Sequence, residues 1–327
     1  MNTACIGVGL IGVGRHGMRY ARHIVQDIPT ASLTAVCRQH AEQGFDLPGS
    51  ASVNVYQDPR SLIADPGVDV VIVVTPPIFF LDICRVAVQA RKPLLIEKPL
   101  ATTAADAQAM VALTREAKVP LMTAQTLRFD NTIQHMKTLR DCLGRSERLD
   151  LISRIETRPT APDHAEGYGK RGAVLETGVH MLDLVRYLTD EEPHEVRCRM
   201  NLLPSVAPET AAVVDLTTDG RTACRIEIER VPAGRVGQAV WSGSQGRLEA
   251  DWVQGRLHCH DGTGTKSFNL PPAQTILATL TAFLHAVNTN SPMPITGEDG
   301  ARAVEIAEAC YRSAQLGGEA VTLPLIS

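Results

Sequence analysis

The sequence predicts an α/β protein of two domains, the first with a doubly wound parallel sheet and the second an α/β domain with a largely antiparallel open sheet. Residues 68–74, which are apolar except for Asp69, and residues 94–96 are typical of parallel strands buried on both faces. After residue 125 apolar and polar residues alternate, as in antiparallel strands with one solvated face. A chain of 327 residues also exceeds one ordinary hydrophobic core. We therefore predict domains at residues 1–124 and 125–327.

The composition is that of an ordinary globular protein, with 44% hydrophobic and 21% charged residues. The net charge of −4 gives no electrostatic reason to bind nucleic acid, and no apolar run is long enough to span a membrane. The 8 cysteines include no C-x-x-C pair, which indicates reduced packing residues and a cytoplasmic protein. His258 and His260 could share one face of a strand, but no third ligand lies nearby, so we predict no metal site.

A glycine-rich loop follows the first predicted strand, residues 5–11, and precedes a predicted helix at residues 18–25. Its spacing, G-x-G-x-x-G, is that of a Rossmann dinucleotide-binding domain. The first glycine makes the turn, the second lets the pyrophosphate approach the backbone, and the third lets the helix pack on the strand. The pyrophosphate then lies at the helix N-terminus, where N–H groups point at it. The cofactor-binding residues predicted here are Gly12, Gly14, Arg15, His16 and Gly17.

The type of cofactor depends on the residue after the second predicted strand, residues 33–37. Arg38 stands where an acidic residue would bind the ribose of NAD, and an arginine there can pair with a 2′-phosphate. On sequence alone, a surface arginine in a polar loop with Gln39 and His40 is an equal alternative. We predict that NADP(H) is favoured, with NAD(H) as the alternative.

A third feature is the segment from Gly172 to Leu188, whose apolar residues recur at the spacing of a mostly buried helix. Glu176, His180 and Asp183 follow one another at i, i+4 and i+7, which would place them on one face. Gly178 would let a flat group approach the helix backbone. Taken alone, a core histidine between two structural carboxylates is the favoured alternative.

Together these residues resemble the glucose–fructose oxidoreductase / inositol dehydrogenase / MocA (Gfo/Idh/MocA) family of NAD(P)-dependent oxidoreductases over nearly the whole chain. The resemblance implies redox chemistry at a hydroxyl-bearing carbon of a sugar, polyol or related diol. It also implies a homodimer or homotetramer, often built on the antiparallel sheet. Besides the glycine-rich loop, it is carried by Thr75-Pro76, Glu97-Lys98-Pro99-Leu100, Arg128-Phe129, Gly178-x-His180-x-x-Asp183, residues 296–300 and residues 311–313.

By this resemblance Thr75, Pro76, Glu97 and Lys98 contact the cofactor, and Lys98 also stabilises negative charge on the reacting oxygen. The resemblance assigns the general base to His180, whose ordinary pKa of about 6.5 suits that task. Glu176 would hold Lys98 or the substrate in register. Asp183 and Arg128 would bind the substrate.

The chain departs from the family pattern at four positions near these residues. Pro77 and Phe80 replace the usual Asn and His, and Glu176 replaces an Asp. In addition, Thr126 replaces a frequent Asn shortly before Arg128-Phe129. Two alternatives follow: a non-catalytic dinucleotide-binding regulatory protein, and a cofactor-assisted lyase or glycosidase of the same superfamily. A non-catalytic chain has no physical need for both Lys98 and His180, so their joint presence favours the enzyme.

Overall fold

A computed structural model describes residues 5–50, 52–157, 164–201 and 208–325. The strands are β1 (Ile6–Ile11), β2 (Ala31–Cys37), β3 (Asn54–Tyr56), β4 (Val70–Val73), β5 (Leu94–Glu97), β6 (Leu121–Ala124), β7 (Ser146–Glu156), β8 (Pro193–Met200), β9 (Ala211–Thr218), β10 (Ala223–Val231), β11 (Val236–Gly243), β12 (Gly246–Asp251), β13 (Arg256–Asp261), β14 (Gly264–Asn269) and β15 (Val321–Thr322). The helices are α1 (Gly17–Gln26), α2 (Pro59–Ala64), α3 (Phe80–Gln89), α4 (Ala104–Ala117), α5 (Asn131–Thr138), α6 (His164–Gly167), α7 (Val179–Thr189), α8 (Thr275–Thr289) and α9 (Gly297–Gln315).

The chain folds into two compact units. The first consists of Met1–Ala101, Ala105–Thr126 and Gln274–Ala301, and the second of Thr102–Ala104, Leu127–Ala273 and Arg302–Ser327. Residues 274–301, which the predicted boundary placed in the second domain, thus belong to the first unit. The reason is packing: α8 buries Leu280 and Phe283 and lies against α1, a contact that its position in the sequence does not reveal.

The first unit is built on a parallel sheet that, within the described residues, has six strands in the order β3-β2-β1-β4-β5-β6. This is the strand order of the doubly wound dinucleotide-binding fold, so the predicted class is confirmed. All four residues of β4 and all four of β5 are buried, as their continuous apolar runs predict. The carboxyl ends of β1, β4 and β5 consequently lie side by side at one edge of the sheet.

The second unit contains an open sheet with, in the described part of the chain, nine strands in the order β14-β13-β12-β11-β7-β10-β9-β8-β15. Neighbouring strands are antiparallel except β7 and β10, which are parallel. The predicted largely antiparallel sheet is therefore confirmed. The central strand β7 was not predicted from the sequence. It begins with a polar stretch, and Ser153 is buried at a position where the alternation predicts an apolar residue.

The two faces of this second sheet differ in character. One face joins α5 and α7 in a hydrophobic core, and its buried side chains include Leu149, Leu151, Val214, Ile226, Ile228 and Trp241. The other face carries ion pairs such as Arg154 with Glu229 at 3.3 Å and Arg225 with Asp215 at 3.0 Å. Alternation of this kind is what the sequence predicts for strands with one solvated face.

The start of α9 shows how local sequence defines a helix end. The Thr296 hydroxyl accepts a hydrogen bond from the Asp299 N–H at 3.1 Å, and the Asp299 carboxylate accepts one from the Thr296 N–H at 2.9 Å. This reciprocal pair is a capping box. The helix is followed by Gly317 and Gly318, whose φ of 75° and 94° lie in the left-handed region that ends helices. Among the described helices, none is both long and apolar enough to cross a membrane.

Candidate active site

The glycine-rich loop between β1 and α1 has the shape that its spacing predicts. Gly12 has a φ of +94°, and a Cβ there would lie 2.8 Å from the Val74 carbonyl group. A Cβ on Gly17 would overlap the carbonyl oxygen of Gly12, so no larger residue fits where α1 meets the loop. Around Gly14, by contrast, no atom of the described residues beyond its two chain neighbours lies within 4 Å of where its Cβ would be. The loop is therefore tight at both ends and open in the middle, which leaves room for a pyrophosphate.

Glu97, the last residue of β5, ties this loop to the neighbouring strand end. Its buried carboxylate accepts hydrogen bonds from the Tyr20 hydroxyl at 2.5 Å, from His16 Nε2 at 2.7 Å and from the Lys98 N–H at 3.0 Å. Burial alone would raise the pKa of Glu97, but the hydrogen bond and charge of His16, the charge of Lys98 and the Tyr20 hydroxyl outweigh it and hold this pKa at about 2. The pKa of Tyr20 is raised well above its usual value, mainly by burial and in addition by the charge and hydrogen bond of Glu97.

The side chain of Glu97 is thus engaged by the protein itself, and it braces the loop that carries His16. Arg15 and His16 are exposed at the loop's outer side, and Lys98, the residue after β5, is half-buried. Pro76 is exposed on the loop after β4. The structure therefore brings the glycine-rich loop, Thr75-Pro76 and Glu97-Lys98 together at the carboxyl edge of the parallel sheet.

Arg38 lies just beyond β2, next to the glycine-rich loop in strand order. Its guanidinium donates hydrogen bonds to the Gly44 carbonyl at 2.8 Å and to Gln43 Oε1 at 2.5 Å. The side chain is half-buried, so these bonds hold it in the loop that follows β2. This position is compatible with both interpretations of Arg38, as a structural residue of the loop and as a ligand of a 2′-phosphate.

The fit of a dinucleotide to these residues can be tested on two features of the first unit. The open space at Gly14 adjoins the N-terminus of α1, whose backbone N–H groups favour an anion. The Thr75 hydroxyl oxygen is buried and, among the described residues, has no hydrogen-bond partner. A buried hydroxyl without a partner is costly in a protein, and a bound polar group would satisfy it. The residues present therefore fit a dinucleotide.

In the second unit the predicted single helix is divided. Val174–Gly178 form a π turn, and the α-helix proper is α7, which starts at Val179. A π turn contains one more residue than an α turn, so Glu176 does not stand in α-helical register with His180. His180 and Asp183 are three residues apart within α7 and share one face of it, and Glu176 lies in the π turn that precedes this helix. No local pattern distinguishes a π turn, so the sequence did not indicate that the predicted helix is divided here.

Gly178 serves a different purpose from the predicted one. A Cβ at this position would lie 2.6 Å from Cδ1 of Ile228, a buried residue of β10. The absent side chain thus lets the helical segment pack closely on the sheet. The group that approaches the backbone is a core side chain of the same unit.

Glu176 lies at the centre of a charged cluster. It forms a close ion pair with Arg230, and its Oε1 lies 3.4 Å from His164 Nε2. The three side chains are 17–33% exposed, so they are shielded but reachable from solvent. Sequence reasoning missed Arg230 and His164. The signal for Arg230 was its phase in β10, opposite to Arg225, Glu227 and Glu229 along the alternation.

Asp183 and Arg128 form a buried ion pair. Arg128 donates from Nε to Asp183 Oδ2 at 2.8 Å and from Nη2 to Oδ1 at 2.6 Å, and the two side chains are 11% and 1% exposed. The guanidinium also lies 5.3 Å from the ring centre of Tyr187. Since both carboxylate oxygens are bound by Arg128, this geometry favours a structural role for Asp183 over the predicted contact with a substrate hydroxyl. His180, one turn earlier, is half-buried.

The histidines of β13 do not form a metal site in the described structure. His258 Nδ1 is 2.8 Å from the Ser267 hydroxyl, and His260 Nδ1 is 2.9 Å from the Thr265 hydroxyl. Among the described residues, no group of three or more His, Cys, Asp or Glu is arranged to hold a metal ion.

Comparison with known families gives two matches that follow one another along the chain. Residues 6–125 match the description "Oxidoreductase family, NAD-binding Rossmann fold". Residues 143–249 match the description "GFO/IDH/MocA C-terminal domain". The chain is similar to a myo-inositol 2-dehydrogenase of Thermotoga maritima, with 27% identity over 94% of this chain and 95% of the relative. It is similar to a D-apiose dehydrogenase of Paraburkholderia graminis, with 26% identity over 94% and 87% of the two chains.

Solved structures agree with these matches. A probable dehydrogenase from Thermotoga maritima superposes with a TM-score of 0.82 and 26% identity, over 97% of this chain and 99% of that one. An oxidoreductase from Agrobacterium radiobacter, solved with NAD+, L-tartaric acid and magnesium, superposes with a TM-score of 0.84 over 98% of both chains. Its identity is 20%, and the likeness concerns the fold alone.

Proposed function

Because the chain belongs to the Gfo/Idh/MocA family of NAD-binding oxidoreductases, we propose that its substrate is a sugar, a polyol or a related diol. The reaction is hydride transfer between a nicotinamide dinucleotide and a hydroxyl-bearing carbon. The observation that carries the proposal is the open cradle at Gly14, at the same edge of the sheet as Lys98 and as the Thr75 hydroxyl, which has no hydrogen-bond partner among the described residues. The substrate class is supported by the names of two relatives, a myo-inositol 2-dehydrogenase and a D-apiose dehydrogenase.

The first unit holds the cofactor in this proposal. The backbone of residues 12–17 binds the pyrophosphate at the start of α1, and the Thr75 hydroxyl donates to a polar group of the dinucleotide. When bound, the nicotinamide ring accepts or returns the hydride. Arg38 favours NADP(H), since its guanidinium can pair with a 2′-phosphate while it keeps its bonds to the loop after β2.

In this proposal, side chains transfer the proton of the substrate hydroxyl and stabilise the negative charge on the reacting oxygen. His180 takes the hydroxyl proton as the alcohol is oxidised and returns it in the reverse direction. The Lys98 ammonium donates a hydrogen bond to the reacting oxygen, where negative charge develops. Glu176, held by Arg230 and His164, is the charged group that keeps the substrate in register. The pair of Asp183 with Arg128 holds α7 rigid, one turn beyond His180.

The test is a panel of polyols, aldoses and dihydrodiols, each assayed with NADP+ and with NAD+ by the absorbance of the reduced nicotinamide. We expect turnover with at least one member of the panel. His180→Ala should nearly abolish this turnover and leave cofactor affinity within a few-fold, since the base acts on the substrate. His285→Ala, which removes an exposed histidine of α8, is the matched control and should behave as the wild type.

Cofactor binding without turnover on any substrate would contradict the proposal. It would favour the non-catalytic regulatory alternative. Release of a leaving group from a glycoside, without net change in cofactor redox state, would favour the lyase or glycosidase alternative.

The homodimer or homotetramer and the cytoplasmic location stay predictions. An interface on the charged face of the second sheet would meet ion pairs such as Arg154 with Glu229. Such an interface would depend on polar contacts and should weaken as salt is added.

A further inference from the structure

The helical segment that carries Glu176 and His180 has an unusual start. The first four N–H groups of a helix have no partner within it and need acceptors from elsewhere. Here the first i to i−4 bond runs from the Glu176 N–H to the Gly172 carbonyl at 2.9 Å. The four N–H groups that precede it belong to Gly172, Ala173, Val174 and Leu175.

Glu209, a buried residue from the loop before β9, accepts three of these four hydrogen bonds. Its carboxylate accepts from the Gly172 N–H at 2.9 Å and from the Val174 N–H at 3.0 Å. Its backbone carbonyl accepts from the Ala173 N–H at 2.9 Å. A Cβ on Gly172 would overlap the Glu209 carbonyl oxygen, so the two segments are in direct backbone contact. Glu209 also places a negative charge at a helix N-terminus, where the helix dipole favours it.

Tyr311, from α9, provides the fourth acceptor. Its hydroxyl oxygen accepts from the Leu175 N–H at 3.3 Å and donates to Glu209 Oε1 at 2.6 Å. Burial first, and then the charge and hydrogen bond of Glu209, raise the pKa of Tyr311 well above its usual value, so the hydroxyl stays protonated. Its ring lies 5.0 Å from the guanidinium of Arg171, which fixes the orientation of the side chain.

We propose that Glu209 and Tyr311 are positioning residues for the reaction: together they hold the π turn at Val174–Gly178 and thereby set the orientation of Glu176 relative to His180. A π turn is a rare conformation and needs support from its surroundings. If the turn relaxed to α-helical geometry, with 3.6 residues per turn, the Glu176 side chain would change its direction about the helix axis relative to α7. This inference rests on the proposed function, in which Glu176 orients the reacting groups.

The test compares Tyr311→Phe with Ser313→Ala. Tyr311→Phe keeps the ring over Arg171 and removes only the hydroxyl that binds Leu175 N–H and Glu209. Ser313 is the matched control on the same helix: it is buried and makes two hydrogen bonds, from the Cys198 N–H and to the Glu319 carbonyl. Ser313→Ala should therefore cost stability, seen as a lower melting temperature, without any effect on the π turn.

We expect Tyr311→Phe to lower kcat tenfold to a hundredfold, the scale of a misplacement of about 1 Å, while KM and cofactor affinity change less than threefold. Glu209→Gln keeps the shape of the side chain and should show the same separation of kcat from KM. Ser313→Ala should keep kcat within twofold of the wild type. Equal loss of kcat in Tyr311→Phe and Ser313→Ala, or none in Tyr311→Phe, would overturn the proposal.

A second measurement does not depend on turnover. The imidazole ¹⁵N signals of His180 in the protein without substrate should move in Tyr311→Phe and in Glu209→Gln, and stay in place in Ser313→Ala. Unchanged His180 signals in both positioning variants would overturn the inference even if kcat fell. If the wild type oxidised no substrate of the panel, the proposed function would fail, and these signals would still decide whether Tyr311 and Glu209 set the orientation of Glu176 relative to His180.

Discussion

Replacement of Glu97 by Gln tests the brace between β5 and the glycine-rich loop. The pKa of Glu97 is about 2 in the folded chain against 4.5 for an ordinary glutamate, and each unit corresponds to about 1.4 kcal/mol. The ionised carboxylate therefore stabilises the folded chain by about 3 kcal/mol at neutral pH. We expect Glu97→Gln to lower the free energy of unfolding by about this amount at pH 7, because an amide cannot accept from all three donors.

The pH dependence gives the sharper form of this prediction. The pKa is lower in the folded than in the unfolded chain, so the stabilisation is complete above pH 4.5 and is lost as the pH falls towards 2. The gap between wild type and Glu97→Gln should shrink by about 1.4 kcal/mol per pH unit in that window. This difference in the free energy of unfolding can be measured by urea unfolding monitored with circular dichroism. Tryptophan fluorescence is less suitable, because both tryptophans lie in the second unit and do not report on the first.

Glu116→Gln is the matched control, because it removes the same charge from an exposed position on α4. It should follow the wild-type pH dependence throughout. A gap for Glu97→Gln that stayed constant from pH 6 to pH 3 would refute the reasoning, since it would show a loss of packing and not of a stabilised charge.

Three further predictions concern the cofactor, the charged cluster and assembly. Arg38→Ala should weaken NADP(H) tenfold or more and NAD(H) less than twofold in calorimetric titrations, because it removes a charge-assisted phosphate contact; equal losses would contradict the assignment. Glu176→Asp should lower kcat about a hundredfold, since the shorter side chain cannot reach both Arg230 and His164. Glu176→Gln should lower kcat further, because it removes the negative charge. If these variants changed the melting temperature but not kcat, Glu176 would be a packing residue. Light scattering at low ionic strength should give a multiple of the 35.3 kDa chain mass that falls in high salt, and a monomer at low salt would exclude the predicted oligomer.

The sequence by itself determined the buried parallel strands of the first unit and the glycine-rich loop for the dinucleotide, but not that α8 packs on this unit. Glycine spacing reports local requirements: Gly12 adopts a φ of +94°, and Gly17 leaves no room for a side chain. Continuous apolar runs and period-2 alternation likewise report how many faces of a strand are buried. These signals lie within a few residues of what they specify, so no tertiary contact is needed to interpret them.

Only the tertiary structure decided the geometry around His180. The π turn at Val174–Gly178, the pairing of Glu176 with Arg230 and the pairing of Asp183 with Arg128 leave no local trace in the sequence. Their partners come from far along the chain: 55 residues separate Arg128 from Asp183, and 136 separate Leu175 from Tyr311. A buried N–H or carboxylate must find a partner, but which one it finds depends on which segments the packing brings within 3 Å or so. The local sequence therefore shows which groups need a hydrogen-bond partner, and the packing of distant segments decides which partner each group has.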